Sequence, residues 1–398
     1  MTSLGYRMHD ADNHYYEPDD CFTRHIEAAF KKRTVWIDRK DDGPSRMYVG
    51  DERCHFFSVG AGDSIGPPGA MKDFLRGTTD EGGSPSLNPI SGLAVPEFVS
   101  RTARLATMDA QQVEACLMLP TAGVGVLPQL ADPRHRDVLY PSLRAFNRWL
   151  EEDWGYGADG RIYGAPLVAL DDLDAGLREL ERLIASGARF VVLMAGPIGG
   201  RSPGDPYFDP FWARCEEAKI GVVHHIGSTA LSAAYNPPWG LRTRPPSHRH
   251  SLMEYALSFT DRPIVDTITA LIADNVFGRF PELRILSVEY GSFWVGPMLT
   301  KLDHITRLYS KDMWRFGSPP GTPSELFRAH VSVSPFYEDD VPGLAQRIGV
   351  ERVLAGSDYP HPEGLAEPVE FLEELDGMAA ADVRRIMRDN FDALARPE

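Results

Sequence analysis

The chain has 398 residues, 43% of them hydrophobic and 25% charged, and carries a formal net charge of −16. This is the composition of a globular protein with enough length for one large α/β domain or two smaller ones. The acidic balance argues against nucleic acid and anionic membrane surfaces as partners. Cys21, Cys54, Cys116 and Cys215 lie far apart with no Cys-x-x-Cys pair, which reads as free thiols in a core. There is no apolar signal-peptide core and no run of membrane-spanning length, so a cytoplasmic enzyme is expected.

Taken in order, short apolar runs alternate with helical patterns. The first run spans about residues 7 to 14 and includes Asp10, Asp12 and His14 at alternate positions, which a strand would place on one face. A stretch from about 19 to 105 follows, rich in Gly, Pro, Ser and charge, including 62–69 and 81–85; its length marks it as an insertion, a lid or a dimer arm. Val113 to Pro120 is the second run, followed by a helix from about Asp137 to Trp154 with Leu139, Leu143, Phe146, Trp149 and Leu150 at helical spacing. Ile162 to Leu170 is the third run and Asp171 to Ala185 the next helix. Arg189 to Met194 is the fourth run. Asp209-Pro210 opens a helix to about Ala218, and Ile220 to His225 is the fifth run. Met253 to Phe277 is mostly helical with a break at Pro263. Leu283 to Glu289 is the sixth run, Trp294 to Leu308 a helix, Ala329 to Val333 a weak seventh run, and Val353 to Asp358 the eighth. Helices at about 366–376 and 381–394 close the chain.

Eight apolar runs without strict two-residue polarity predict parallel strands buried on both faces. Their number and the chain length fit a (β/α)8 TIM-like barrel, one domain over 1–398, with a long insertion after the first strand and C-terminal helices. An open doubly wound sheet would want a glycine-rich phosphate turn after the first strand, and there is none. In such barrels chemistry gathers at the C-terminal ends of strands. Those ends carry Asp12 and His14, His224 and His225, Glu289, and Asp358. Each has an ordinary explanation alone: a solvated loop acid, a core histidine, an arginine partner, a turn residue. Brought together by a barrel, they predict a site for a divalent metal.

The same residues carry a family resemblance. Asp12-Asn13-His14 with Glu17-Pro18, Met108-Asp109-Ala110-Gln111, Phe208-Asp209-Pro210-Phe211-Trp212, Gly221 to His225, Gly356-Ser357-Asp358-Tyr359-Pro360-His361 and Asp389-Asn390-Phe391 follow one another as in the amidohydrolase superfamily. The branch is that of aminocarboxymuconate semialdehyde decarboxylase and γ-resorcylate decarboxylase. The resemblance implies Asp12, His14, His225 and Asp358 as metal ligands, with His225 preferred to His224. At the sixth strand end those decarboxylases carry an acid/base histidine, whereas this chain has Glu289. A glutamate donates no proton at neutral pH unless its pKa rises well above about 4.3.

Three or four carboxylates at one site suit one or two ions of iron, zinc or manganese, and two balance the charge better. Glu289 is then a bridging ligand or base, and Asp358 the alternative base. These residues predict a metal-dependent hydrolase acting on a bulky ester, thioester or amide, such as an acyl-coenzyme A, through metal-activated water. The alternative is non-oxidative, metal-dependent decarboxylation of an aromatic or dienoic acid, as the resemblance implies. Residues 218–253 contain no Asp or Glu but hold Arg242, Arg244, His248, Arg249 and His250. That span reads either as a solvated or subunit-contact patch, or as the recognition loop for an anionic substrate, carboxylate or coenzyme A-linked. On that reading His224, Arg242, Arg244, Arg249 and His361 bind substrate, with Arg201 a weaker candidate. A homodimer is the default expectation for such an enzyme.

Overall fold

The computed structural model describes residues 5–39, 45–57, 62–77, 88–227, 231–247 and 249–397; His248 and the segment 81–85 lie outside them. Among the described residues the strands are β1 (Met8–Tyr15), β2 (Val35–Asp38), β3 (Arg46–Val49), β4 (Glu52–Arg53), β5 (Val113–Pro120), β6 (Ile162–Gly164), β7 (Leu167–Val168), β8 (Phe190–Leu193), β9 (Gly221–His225), β10 (Arg284–Val288) and β11 (Val331–Val333). All but β2, β3 and β4 run parallel, in two sheets of order β1–β5–β6 and β11–β10–β9–β8–β7. The β-branched and aliphatic residues of β5, β8 and β9 are buried almost throughout, because helices cover one face and the opposite strands the other.

The ladder stops short of a closed barrel at two seams. The third predicted run is interrupted at Ala165-Pro166, where proline has no N–H to give, and resumes as β7 in the second sheet. The eighth predicted strand is not a strand: residues 353–359 cross the gap between β11 and β1 through isolated bridges, Val333 with Val353 and Asn13 with Tyr359. Backbone bonds nonetheless tie it to both neighbours, Leu354 N–H to Val333 O at 2.9 Å and Asp358 N–H to Asp12 O at 2.8 Å. Asp358 itself sits at φ 56°, a left-handed backbone that no regular strand contains.

Helices pack outside these strands. The helix Arg136–Asp153 buries Leu139, Leu143, Phe146, Trp149 and Leu150, and Leu173–Ala185 buries Leu173, Leu180 and Leu183. The latter starts where the Asp172 carboxylate accepts the Ala175 N–H. Within the region 19–105, β2, β3 and β4 form a small antiparallel sheet. Phe22, Val35, Met47, Val49 and Phe56 from this region join the main core. Arg24 pairs with Asp153 at 2.7 Å and Lys72 with Glu370 at 2.7 Å, fastening its described parts to the body. No helix among the described residues is long and apolar enough to cross a membrane.

Candidate metal centre

The first candidate pair comes from β1. Pairing with β5 slips between Asp10 and Asn13, so one extra residue is accommodated and simple alternation fails there. Asp10 is turned aside into a cradle of donors: the Ser357 N–H at 2.9 Å, the Ser357 hydroxyl at 2.5 Å, the Asn13 amide at 2.9 Å and the Asp12 N–H at 3.1 Å. Burial outweighs these donors and raises its carboxyl to about 6. Asp12 and His14 point to the centre, with His14 Nε2 3.2 Å from Asp12 Oδ1.

The other strand ends converge on the same atom. His14 Nε2 lies 3.2 Å from His225 Nε2, 3.6 Å from Glu289 Oε2 and 3.5 Å from Asp358 Oδ1. His225 Nε2 lies 2.9 Å from Glu289 Oε2. Glu289 and Asp358 both occupy left-handed backbone, at φ 58° and 56°, a conformation costly for residues with a Cβ. The turn that follows each strand end is thereby fixed so that the carboxylate faces inward. His225 Nδ1 faces the Ile226 carbonyl at 2.7 Å and must donate to it, which leaves Nε2 as the atom presented to the cluster.

The electrostatics are those of carboxylates and imidazoles that share charge at close range. Burial resists charging His225, yet Glu289 and Asp12 prevail and lift its imidazole to about 10. His14 is also raised: burial opposes, but Asp12 and Glu289 favour the proton. Asp358 is pushed well above the ordinary carboxylate range by burial and by Glu289 and Asp12. Glu289 goes the other way; burial is overcome by the neighbouring His225 and His14, which hold it ionised. Protons on imidazoles thus do part of what a divalent ion would do. Two overlapping ligand sets, Asp12/His14/His225/Glu289 and His14/Glu289/Asp358/His361, each keep their ligand atoms within 4.8 Å of one another. Mixed nitrogen and carboxylate donors at that spacing fit a divalent transition metal.

His361 was expected at the substrate and is found against the cluster. Its Nδ1 is 2.7 Å from Asp358 Oδ1 and its Nε2 is 3.1 Å from Thr121 Oγ1, whose own proton goes to the Tyr15 carbonyl at 2.7 Å. Three other residues expected to bind substrate are placed differently. His224 is fully buried, with Nδ1 on the Leu193 carbonyl at 2.8 Å, because consecutive residues of β9 face opposite ways and His225 takes the inward position. Arg242 is held by Glu254 at 2.6 and 2.9 Å and by the Arg249 carbonyl, and Arg244 by Asp132. Their charges staple the loop over the strand ends. Arg249 has an exposed side chain, and Arg201 stacks on Tyr207 at 4.7 Å. Thr121, Ser357 and Arg104, all built into the centre's support, carry no mark in the sequence beyond being common polar residues.

The amidohydrolase family profile matches residues 51–391. The chain belongs to the amidohydrolase family. That family has the TIM-barrel fold, of which the two parallel sheets here are an incompletely laddered version. The amidohydrolase superposes on an amidohydrolase from Mycobacterium avium subsp. paratuberculosis with a TM-score of 0.89 and 37% identity, covering 100% of this chain and 99% of that one. A 2,6-dihydroxybenzoate decarboxylase from Rhizobium shares the fold at TM-score 0.60 and 16% identity, covering 98% of each chain. A 5-carboxyvanillate decarboxylase from Novosphingobium aromaticivorans, complexed with manganese, does so at TM-score 0.60 and 15% identity over 99% of this chain and 97% of that one. No curated protein sequence matches the chain.

Proposed function

We propose that this amidohydrolase is a metal-dependent carboxy-lyase that releases carbon dioxide from an aromatic or dienoic acid. The observation that carries this reading is the contact of His361 Nδ1 with Asp358 Oδ1 at 2.7 Å. Thr121 gives its one hydroxyl proton to the Tyr15 carbonyl, so it accepts from His361 Nε2–H. A proton must then sit between His361 Nδ1 and the Asp358 carboxylate, and it belongs to the pair rather than to either member. Burial, then the neighbouring carboxylates of Glu289 and Asp12, raise the Asp358 carboxyl and so favour a proton on the pair. Non-oxidative decarboxylation needs such a donor. The carbon–carbon bond breaks, its electron pair stays on the substrate carbon, carbon dioxide leaves, and the carbon takes the proton from the pair.

A divalent ion held by Asp12, His14, His225 and Asp358 would bind the substrate's oxygen atoms and withdraw charge from the breaking bond. Both overlapping ligand sets draw on the one nitrogen of His14, which can serve only one ion, and this favours one ion over the two that the charge count alone suggested. Carboxylate-rich donors suit manganese or ferrous iron at least as well as zinc. Decarboxylases of this fold, two of them with manganese bound, support the choice. With Arg242 and Arg244 engaged elsewhere, the substrate's negative charge falls to the ion.

A second reading, hydrolysis of an ester, thioester or amide, is favoured by Glu289. It stands ionised beside His225, able to take a proton from an attacking water. The two readings separate cleanly. Manganese-loaded enzyme is offered hydroxybenzoates and vanillate-type acids on one side, and nitrophenyl esters and acyl thioesters on the other. Carbon dioxide release that persists in Glu289→Gln supports the lyase. Turnover of the acyl panel alone, lost in Glu289→Gln, overturns it.

A further inference from the structure

Among the described residues, Arg104 is the only arginine or lysine that the fold buries completely. It sits on the helix Arg101–Ala110 beneath the centre and meets no carboxylate. Nε donates to the Glu97 carbonyl at 2.7 Å, one terminal nitrogen to the Asn13 side-chain oxygen, and the other to the His14 carbonyl at 2.8 Å. The rings of Tyr359 and Trp154 flank the guanidinium at 5.1 and 5.9 Å. Burial holds its pKa below the usual arginine value. A guanidinium placed among neutral acceptors is an expensive way to fill a core, and an apolar side chain of similar volume would do so more cheaply.

What the charge achieves is visible one bond further on. Arg104 takes the oxygen of the Asn13 amide and, together with the Asp10 carboxylate, fixes which way that amide points. Its nitrogen is thereby aimed at Asp10 Oδ2, 2.9 Å away. Asp10 in turn receives the Asp12 N–H, the Ser357 N–H and the Ser357 hydroxyl. Arg104 therefore touches β1 at the His14 carbonyl, reaches Asp12 and Ser357 through Asn13 and Asp10, and covers the ring of Tyr359, the residue after Asp358. The seam between β1 and residues 353–359 is thus held twice, by backbone bonds from Ala11 N–H to Ala355 O at 2.8 Å, Asp358 N–H to Asp12 O at 2.8 Å and His14 N–H to Tyr359 O at 2.7 Å, and by this chain of side-chain contacts beneath the ligands.

We propose that Arg104 is a positioning residue for the metal centre, holding the ligands of β1 and Asp358 at the mutual distances an ion requires. The inference rests on the metal-dependent reading above and goes further in assigning support of the ligands to a residue outside the cluster. The test is manganese titration of the metal-stripped full chain by calorimetry, with a melting curve of each stripped variant. Arg104→Met and Asn13→Ala are expected to weaken manganese binding by 10- to 100-fold, the usual loss when a ligand's support is removed. Arg104→Lys, which keeps the charge but not the fork, is expected to recover the melting temperature more than the affinity. Wild-type affinity in folded Arg104→Met or Asn13→Ala, with only the melting temperature lowered, overturns the inference. Should Arg104→Met fail to fold, Asn13→Ala decides alone. A wild-type chain that binds no manganese, zinc or ferrous iron would instead remove the metal-dependent reading on which the inference stands.

Discussion

His225 presents Nε2 to His14 Nε2 at 3.2 Å while its other nitrogen is spent on the Ile226 carbonyl. Two ring nitrogens so close need either a hydrogen between them or a metal ion beside them.

The two compete, which fixes a pH dependence. The His225 imidazole is lifted to about 10, so the metal-free site holds its proton throughout the neutral range. Metal ligation requires that proton to leave. Manganese affinity should therefore rise with pH between about 6 and 9, by about tenfold per unit for each proton displaced. Calorimetric titration in buffers of differing ionisation enthalpy should show at least one proton released per ion bound. Affinity flat over that range, with no proton release, would contradict the assignment of His225 as a ligand.

His361 holds a proton against Asp358 and also lies within ligand reach of the cluster. His361→Asn separates these roles. If the imidazole serves the proton, kcat should fall by about 10²- to 10⁴-fold, the common range for loss of a general acid, while metal content stays at the wild-type level. Thr121→Val, which frees His361 Nε2 from its acceptor, should produce a smaller loss in the same direction. Loss of metal in His361→Asn would make His361 a ligand instead.

Most of the centre was legible because barrel chemistry falls at strand ends and polar residues ending apolar runs are conspicuous. Asp12, His14, Glu289 and Asp358 stood out for that reason. The choice between His224 and His225 was open because both end the same run; the pleat of β9 and its register with β10 decide it. The partners of the loop arginines were out of view in the sequence. Glu254 lies just past the acid-free span, and Asp132 is 112 residues from Arg244. The eighth run meets its neighbours only through isolated bridges, which hydropathy does not reveal. The sheet of β2, β3 and β4 was hidden in a Gly- and Pro-rich region whose strands are only two to four residues long. Arg104 had no signal at all, since one arginine on an amphipathic helix is ordinarily solvated.

His9, at the start of the same strand, contributes to acid stability. Its ring is 1% exposed and packs edge-on against Phe391, with the Asp392 carboxylate 3.8 Å from Nδ1, beyond hydrogen-bond distance. Burial first, then the positive charges of Arg388 and Arg396, lower its pKa to about 3. The folded state thus keeps His9 neutral, while the unfolded chain titrates near 6.5. The contribution of His9 is complete above about pH 6.5 and is lost as pH falls towards 3, at up to about 1.4 kcal/mol per unit. Urea unfolding should show His9→Gln, which cannot charge, losing about 2 kcal/mol less than wild type between pH 6.5 and 5. Identical slopes for the two proteins would show that His9 is not the group that titrates.

Gly356 is where packing and the ligand set meet most directly. A Cβ at this position would lie 2.7 Å from Asp12 Cβ and against the Ser334 hydroxyl, both buried, in the seam that the ladder leaves unzipped. Neither neighbour is the free end of a flexible chain, so Gly356→Ala must displace β1 or the segment carrying Asp358. Overpacking of this kind costs about 1–3 kcal/mol. The displaced atom here is two bonds from a proposed ligand oxygen, so the damage should be larger in metal binding than in folding. The expected result is a folded Gly356→Ala protein whose manganese affinity falls at least tenfold. Removing the hydroxyl with Ser334→Ala in the same chain should restore part of the stability but little of the affinity, because the contact with Asp12 remains. Equal recovery of both in the double variant would show that Ser334, and not Asp12, is what the glycine accommodates.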